Sequence, residues 1–137
     1  MNDYKMAAYG TLKVGHGNWN YFLAGVTDVR VGDLLRGYKL RTWQHGGFPA
    51  IFKTGDDNDV VVVDVFDLST SQTIAPDDLV DDIDSMEFGA GYDKEWVQLE
   101  SGDWVWVYTM DERNSHGMDY IIESGDWNEF TDTRRYA

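Results

Sequence analysis

The segment MAAYGTLKVGHGN, from Met6 to Asn18, decides how this chain begins to fold. Its first residues are small and apolar, so we predict a buried strand from Tyr4 to Tyr9. Gly10, Gly15 and Gly17 then interrupt the apolar pattern, which indicates a loop. Their intervals match neither the Walker phosphate loop nor the glycine fingerprint of dinucleotide-binding proteins. The segment is therefore predicted to be a strand that leads into a glycine-rich loop of another kind.

The start of this loop has the chemistry of an anion site. After Tyr9, the run from Gly10 to Leu12 presents consecutive main-chain N–H groups, and such a run can form a nest for an anion. Gly10 would let a ligand approach the backbone closely, or would adopt a positive φ. Most glycine-rich turns are only turns, so the pattern alone does not distinguish a binding site from a simple turn.

The composition restricts the class of protein. A chain of 137 residues, 42% of them hydrophobic, predicts a single domain, 1–137, with a substantial core. The formal net charge of -14 disfavours nucleic acid and membrane partners, because both are anionic, and it is interpreted as a source of solubility. Cysteine is absent, and Asp3 and Lys5 interrupt the stretch where a signal peptide would be apolar. We therefore expect a cytoplasmic protein.

Most of the chain shows strand patterns, which are short runs of β-branched and aromatic residues bounded by Gly, Asp and Asn. Further strands are predicted at Gly37–Thr42, Ala50–Lys53, Val60–Leu68, Trp96–Leu99 and Trp104–Tyr108, and the last two form a hairpin. The predicted fold class is α+β, with strands dominating.

Helical patterns are fewer. The range Pro76–Phe88 is predicted as the single substantial helix, because proline suits the first helical position and the acids that follow it complement the helix dipole. Asn18 is predicted to cap a short helix. A second short helix is predicted after Met118, ending at Gly125.

Glu87 is out of place in the predicted long helix. Leu79, Ile83 and Met86 form its apolar stripe, and Glu87 lies on the same side, four residues after Ile83. The C-terminus of a helix disfavours negative charge, and burial raises the pKa of a carboxyl group toward the range of a general base. The alternative is that Glu87 extends to the surface at a frayed helix end, and the helix pattern alone leaves both interpretations open.

Other polar residues give weaker patterns. His16, His45 and His116 share no metal-ligand spacing, so no metal site is predicted. The acidic stretch 56–59 lacks the glycine and the final glutamate of a calcium loop, and a hairpin turn explains it.

Six segments follow the order of a known family. They are YGTLKVGHGN (9–18), GYKLRTWQHGGFPAI (37–51), VVDVFDL (62–68), IDSMEFGAGYDKEWVQL (83–99), WVWVY (104–108) and ESGDW (123–127). Through them the chain resembles the gamma-glutamylcyclotransferase-like superfamily, and within it the gamma-glutamylamine cyclotransferase-like branch. The likeness departs from the family at Val63, where the family often has glycine, and at Phe88, which separates the acid from Gly89.

The resemblance implies a small closed β-barrel of mixed strands with a few short helices. It places a pocket between the loop after Tyr9 and Glu87, with Glu87 as the general acid/base. The residues whose main chain would hold the γ-glutamyl group are Tyr9, Gly10, Thr11 and Leu12, and Tyr92 would add a hydroxyl group to the pocket. The implied substrate is a small γ-glutamyl compound, converted without a cofactor or metal to 5-oxoproline and a free amine or amino acid.

The alternative function is a non-catalytic module that binds a small ligand or a protein on the same barrel. The acid at position 87 favours the enzyme, because a binding module gains nothing from a carboxyl group that is costly to bury. Candidates for the walls of the pocket are His16, Trp43, Tyr92 and Trp127.

Overall fold

A computed structural model describes residues 3–44 and 46–135. Its strands are β1 (Lys5–Ala8), β2 (Val29–Arg36), β3 (Tyr38–Thr42), β4 (Ala50–Lys53), β5 (Val60–Asp67), β6 (Asp93–Gln98), β7 (Trp104–Thr109) and β8 (Tyr120–Ile121). Its α-helices are α1 (Gly17–Phe22), α2 (Pro76–Gly89) and α3 (Trp127–Arg135). The predicted α+β class is confirmed. Within the described ranges, no helix has the length and apolar character needed to cross a lipid bilayer.

Strand β1 lies at the centre of the larger sheet, whose strand order is β2-β5-β1-β7-β6. It pairs antiparallel with β5, where Lys5 lies opposite Asp67, and parallel with β7, where Met6 lies opposite Trp106. Strands β4, β3 and β8 form a second sheet in that order. Because β1 has a neighbour on each side, the glycine-rich loop that follows it starts from a fixed point in the fold.

The apolar sequence of β1 is explained by burial on both faces of the larger sheet. Ala7 belongs to a core that also contains Leu40 and Trp127. Met6 and Ala8 belong to a second core on the opposite face, where the buried residues of α2 pack. Strands covered on both faces read as continuous apolar runs rather than alternating ones, which is the pattern of the MAA segment.

The closed barrel implied by the resemblance is not present in the described residues, which form two separate sheets. Gly37, with a φ of 89°, turns the chain after β2, so that β3 pairs with β4 and β8 instead of extending the larger sheet. The two edge strands of the larger sheet, β2 and β6, do not pair with each other. The main-chain N–H of Glu100, in the turn after β6, donates to Leu34 O of β2 over 2.9 Å.

Most predicted elements agree with the structure, whereas one predicted helix does not and one strand was not predicted. The predictions for β3, β4, β5, the hairpin and α2 are confirmed to within a few residues. The helix predicted after Met118 is wrong, because that segment forms β8 and a turn, and a helix of nine residues starts only at Trp127. Strand β2 was not predicted, and in it Gly32 forms a bulge between Val31 and Asp33.

The predicted cap of the first helix is also wrong. Helix α1 begins at Gly17, and His16 occupies the cap position without a side-chain hydrogen bond to the main chain of the helix. The amide of Asn18 instead donates to Thr11 Oγ1 over 2.7 Å. Asn18 therefore stabilises the glycine-rich loop rather than the helix.

Candidate active site

A cavity of about 230 Å³ lies between the loop after β1 and the C-terminal part of α2. All six site residues predicted from the sequence line it: Tyr9, Gly10, Thr11, Leu12, Glu87 and Tyr92. The loop comes from the start of the chain and Glu87 from the last turns of α2, so only the folded chain brings the two together.

The loop offers unused main-chain donors to this cavity. Its turn is closed by a hydrogen bond from Lys13 N–H to Gly10 O of 3.0 Å, and Trp19 N–H donates to Thr11 O over 3.1 Å. Among the described residues, the main-chain N–H groups of Gly10, Thr11 and Leu12 donate a hydrogen bond to no acceptor. These consecutive donors remain available for an anionic or carbonyl group of a ligand.

Gly10 is required by packing. A Cβ atom at this position would lie 2.5 Å from Pro49 Cγ, far inside van der Waals contact. The φ of Gly10 is not positive, so the turn itself does not demand glycine. Of the two reasons predicted for Gly10, a positive φ is therefore wrong, and the neighbouring proline ring sets a requirement for glycine that was not predicted.

The side chain of Glu87 is half-buried, and burial raises the pKa of its carboxyl group from 4.5 to about 7. Within the described part of the chain, its carboxyl group has neither a hydrogen-bond donor nor a cation as partner. The C-terminal end of α2 acts in the same direction, because the helix dipole there disfavours negative charge. A carboxyl group with a pKa near 7 holds its proton about half of the time at neutral pH, which suits general acid/base catalysis.

Three tyrosines around Glu87 explain why it lacks a donor. Burial, as the main cause, and the charge of Glu87, as a smaller one, raise the pKa of Tyr9, Tyr92 and Tyr108. Each hydroxyl proton is already used: Tyr9 donates to Tyr108 O (2.8 Å), Tyr92 to Pro49 O (2.6 Å) and Tyr108 to Asp84 Oδ1 (2.7 Å). The tyrosines therefore lie near the carboxyl group without donating to its charged form. A hydrogen bond to the carboxylate would have lowered the pKa of Glu87.

Buried polar residues that do not line the cavity hold the loop in place. Lys13 is only 1% exposed, and its ammonium group lies 3.3 Å from Asp126 Oδ1. Val14 N–H donates to Asp64 Oδ2 over 3.1 Å, and Asp64 is buried in β5. Sequence reasoning missed these residues, although an acid inside the valine-rich run of β5 is a pattern that indicates a specific buried partner.

The structure also corrects the predicted walls of the cavity. Of the four wall candidates, Tyr92 lines the cavity and His16, Trp43 and Trp127 do not. His16 Nε2 lies 2.6 Å from Asn128 Oδ1, Trp43 Nε1 donates to His116 O, and Trp127 is buried in the core. Lining residues that the sequence did not predict include Phe48, Pro49, Met86 and Tyr108.

No metal site was predicted from the three histidines of the chain. His45 lies outside the described residues. Among the residues that are described, no group of three or more His, Cys, Asp or Glu side chains could hold a metal ion.

Comparison with protein families gives an identification at the level of class. A family model described as gamma-glutamyl cyclotransferase, AIG2-like, matches residues 6–129. This range includes most of β1, the glycine-rich loop, α2 and the start of α3. The chain belongs to this family.

Solved structures share the fold. An uncharacterized protein from Pyrococcus horikoshii has a TM-score of 0.71 at 23% identity, covering 96% of this chain and 96% of its own. YkqA from Bacillus subtilis has a TM-score of 0.72 at 22% identity, covering 100% of this chain and 44% of YkqA. An AIG2-like protein from Mus musculus has a TM-score of 0.61 at 17% identity, covering 85% of this chain and 82% of its own. The comparison with curated proteins gave no match.

Proposed function

We propose that this protein, acting as one domain over residues 1–137, is a γ-glutamyl cyclotransferase. It would convert a small γ-glutamyl compound into 5-oxoproline and a free amine or amino acid. The observation that carries the proposal is the half-buried Glu87 carboxyl group, which lines one cavity with the unused main-chain donors after Tyr9. Membership of the gamma-glutamyl cyclotransferase, AIG2-like family supports it.

The reaction needs one proton acceptor that later becomes a donor. The α-amine of the substrate attacks its own γ-carbonyl carbon, forming the C–N bond of a five-membered lactam. Glu87, as the carboxylate, accepts a proton from the attacking amine. The protonated Glu87 then donates to the nitrogen of the leaving amine as the original amide bond breaks. A proton transfer of this kind contributes about 10² to 10⁴ in rate.

The loop after β1 would position the substrate. Its N–H groups from Gly10 to Leu12 are suited to the α-carboxylate of the glutamyl group or to the oxyanion that develops on the γ-carbonyl. Holding the glutamyl chain in a folded conformation places its amine close to the carbonyl carbon, which is the main requirement of an intramolecular attack. The Tyr92 hydroxyl donates its proton to Pro49 O, so its oxygen remains an acceptor for an N–H of the attacking α-amine.

The proposal is tested by incubating the protein with γ-glutamyl amides of simple amines and with γ-glutamyl dipeptides, and measuring 5-oxoproline by chromatography. The variants are Glu87→Gln and, as a matched control, Asp81→Asn, which removes an exposed acid from the same helix. Release of 5-oxoproline by the wild type and by Asp81→Asn, with loss in Glu87→Gln, supports the enzyme. Saturable binding of unreacted amides, with no release from any of them, contradicts it and favours a binding module.

A further inference from the structure

Phe48 is an aromatic side chain that lines the cavity and is 58% exposed. Most lining residues are buried or half-buried, and Ala90 is the other exposed one in the described set. A glutamyl group held at the loop and at Glu87 occupies the inner part of the cavity. The leaving amine of the substrate must then extend toward the exposed part, where Phe48 lies.

The backbone of Phe48 is held in place although its ring is exposed. Thr42 Oγ1 donates to Phe48 O over 3.0 Å. The next residue, Pro49, accepts the hydroxyl proton of Tyr92 and packs against Gly10. An aromatic ring on a fixed backbone is well placed to cover an apolar group, because only its two side-chain torsions have to be ordered when the contact forms.

The charges of the cavity favour an uncharged leaving group. None of the described lining residues is Lys, Arg or His, and Glu87 is their only carboxylate. A carboxylate on the leaving amine, as in a γ-glutamyl amino acid, would therefore enter without a cationic partner and would be repelled by Glu87. Met86 and Ala90 continue the apolar surface beside Phe48.

We infer that Phe48 is a specificity-determining residue that selects γ-glutamyl amides whose leaving amine carries an uncharged apolar group. The inference rests on the proposed function and adds the class of leaving amine. The ring of Phe48 covers the apolar group of the amine, and the absence of a cation from the described lining disfavours leaving groups that carry a carboxylate.

The test uses four γ-glutamyl compounds: the methylamide, the n-propylamide, the benzylamide and γ-glutamyl-β-alanine, which replaces the terminal methyl of the propylamide by a carboxylate. For the wild type, kcat/KM is expected to rise about tenfold from methylamide to benzylamide and to fall about tenfold from propylamide to β-alanine. Phe48→Ala should lower kcat/KM for the benzylamide about tenfold and for the methylamide less than about twofold. Phe48→Leu should retain part of the preference. Trp104→Ala, which removes an exposed aromatic side chain outside the cavity, should leave it unchanged.

Binding of the same compounds to Glu87→Gln, with and without Phe48→Ala, separates this inference from the proposed function. Turnover that is equal for all four compounds and insensitive to Phe48→Ala overturns the inference and leaves the cyclotransferase standing. Binding graded in the same order and weakened by Phe48→Ala, with no turnover by the wild type, overturns the cyclotransferase and supports the selection by Phe48. If there is no turnover and binding is not graded in this way, the inference about Phe48 and the cyclotransferase are both overturned.

Discussion

Glu87 and Gly10 line the same cavity and are connected through Pro49. The proline ring packs against the Cα of Gly10, and its carbonyl oxygen accepts the hydroxyl proton of Tyr92. Tyr92 is close enough to Glu87 for the charge of the carboxylate to raise the pKa of its hydroxyl group. The position of the acid relative to the loop is thus set by a short chain of packed residues, and each of them can be changed separately.

The pH dependence of the reaction should report the pKa of Glu87. The carboxyl group must be deprotonated to accept a proton from the substrate amine, and its pKa is raised to about 7 by burial. We expect kcat/KM to fall as the pH is lowered, with an apparent pKa near 7 on the acidic side of the profile. Rates between pH 4 and 9 measure this. An acidic limb centred near the ordinary glutamate value of 4.5 would contradict the assignment.

The same pKa has a consequence for stability. Because the folded state raises the pKa of Glu87 from 4.5 to about 7, it binds more protons than the unfolded chain between these values, so the contribution of Glu87 becomes less favourable as the pH rises through this window. Glu87→Gln removes the cost of ionising a buried carboxyl group and should be more stable than the wild type at pH 8, by about 3 kcal/mol. The two proteins should converge below pH 4.5. Urea unfolding at pH 4 and pH 8 measures the difference, and an equal difference at both values would show that Glu87 is solvated.

Replacement of Gly10 tests the packing against Pro49. In Gly10→Ala the new methyl group would lie 2.5 Å from Pro49 Cγ, so the loop or the proline must move. We expect a loss of about 1 to 3 kcal/mol in the free energy of unfolding and a larger proportional loss in kcat/KM. Gly17→Ala is the matched control, since nothing lies within 4 Å of its added Cβ. Equal behaviour of the two variants would refute a specific role for the contact with Pro49.

Lys13 should position the loop without touching the substrate. Its buried ammonium group pairs with Asp126, so Lys13→Met keeps most of the side-chain volume and removes the ion pair. We expect kcat/KM to fall about tenfold, chiefly through KM, because the loop donors lose their fixed positions. Lys53→Met removes a lysine from an exposed ion pair with Glu95 and serves as the control. A variant that unfolds like the wild type and binds substrate with unchanged KM would contradict this role.

The residues of the candidate site were predictable from sequence to different degrees. Glu87 was identified from the helix pattern together with its position in the segments shared with the family. The loop after Tyr9 was visible in its glycines, and its role at the site followed from the resemblance. Phe48 and Pro49 were not identified as lining residues, because they lie outside regular elements. Their position at the cavity depends on the contacts that Pro49 makes with Gly10 and Tyr92. Such contacts between distant segments have no periodic signature in the sequence.

The missed elements of the fold have physical reasons of their own. Strand β2 lies at the edge of its sheet and contains a glycine bulge, so its exposed half lacks the alternation of a buried strand. Helix α3 begins at Trp127, which is buried in a core shared with strand residues, and this long-range packing is not encoded in the local pattern. The continuous apolar run of β5, by contrast, was predicted because burial on both faces is visible in the sequence itself.

The most direct measurement is the rate of 5-oxoproline formation from one γ-glutamyl amide by the wild type and by Glu87→Gln at pH 8, both at saturating substrate. If the carboxyl group at position 87 transfers the proton, kcat should fall by about 10² to 10⁴ while the variant still binds the amide. A variant that forms 5-oxoproline at the wild-type rate would contradict the account.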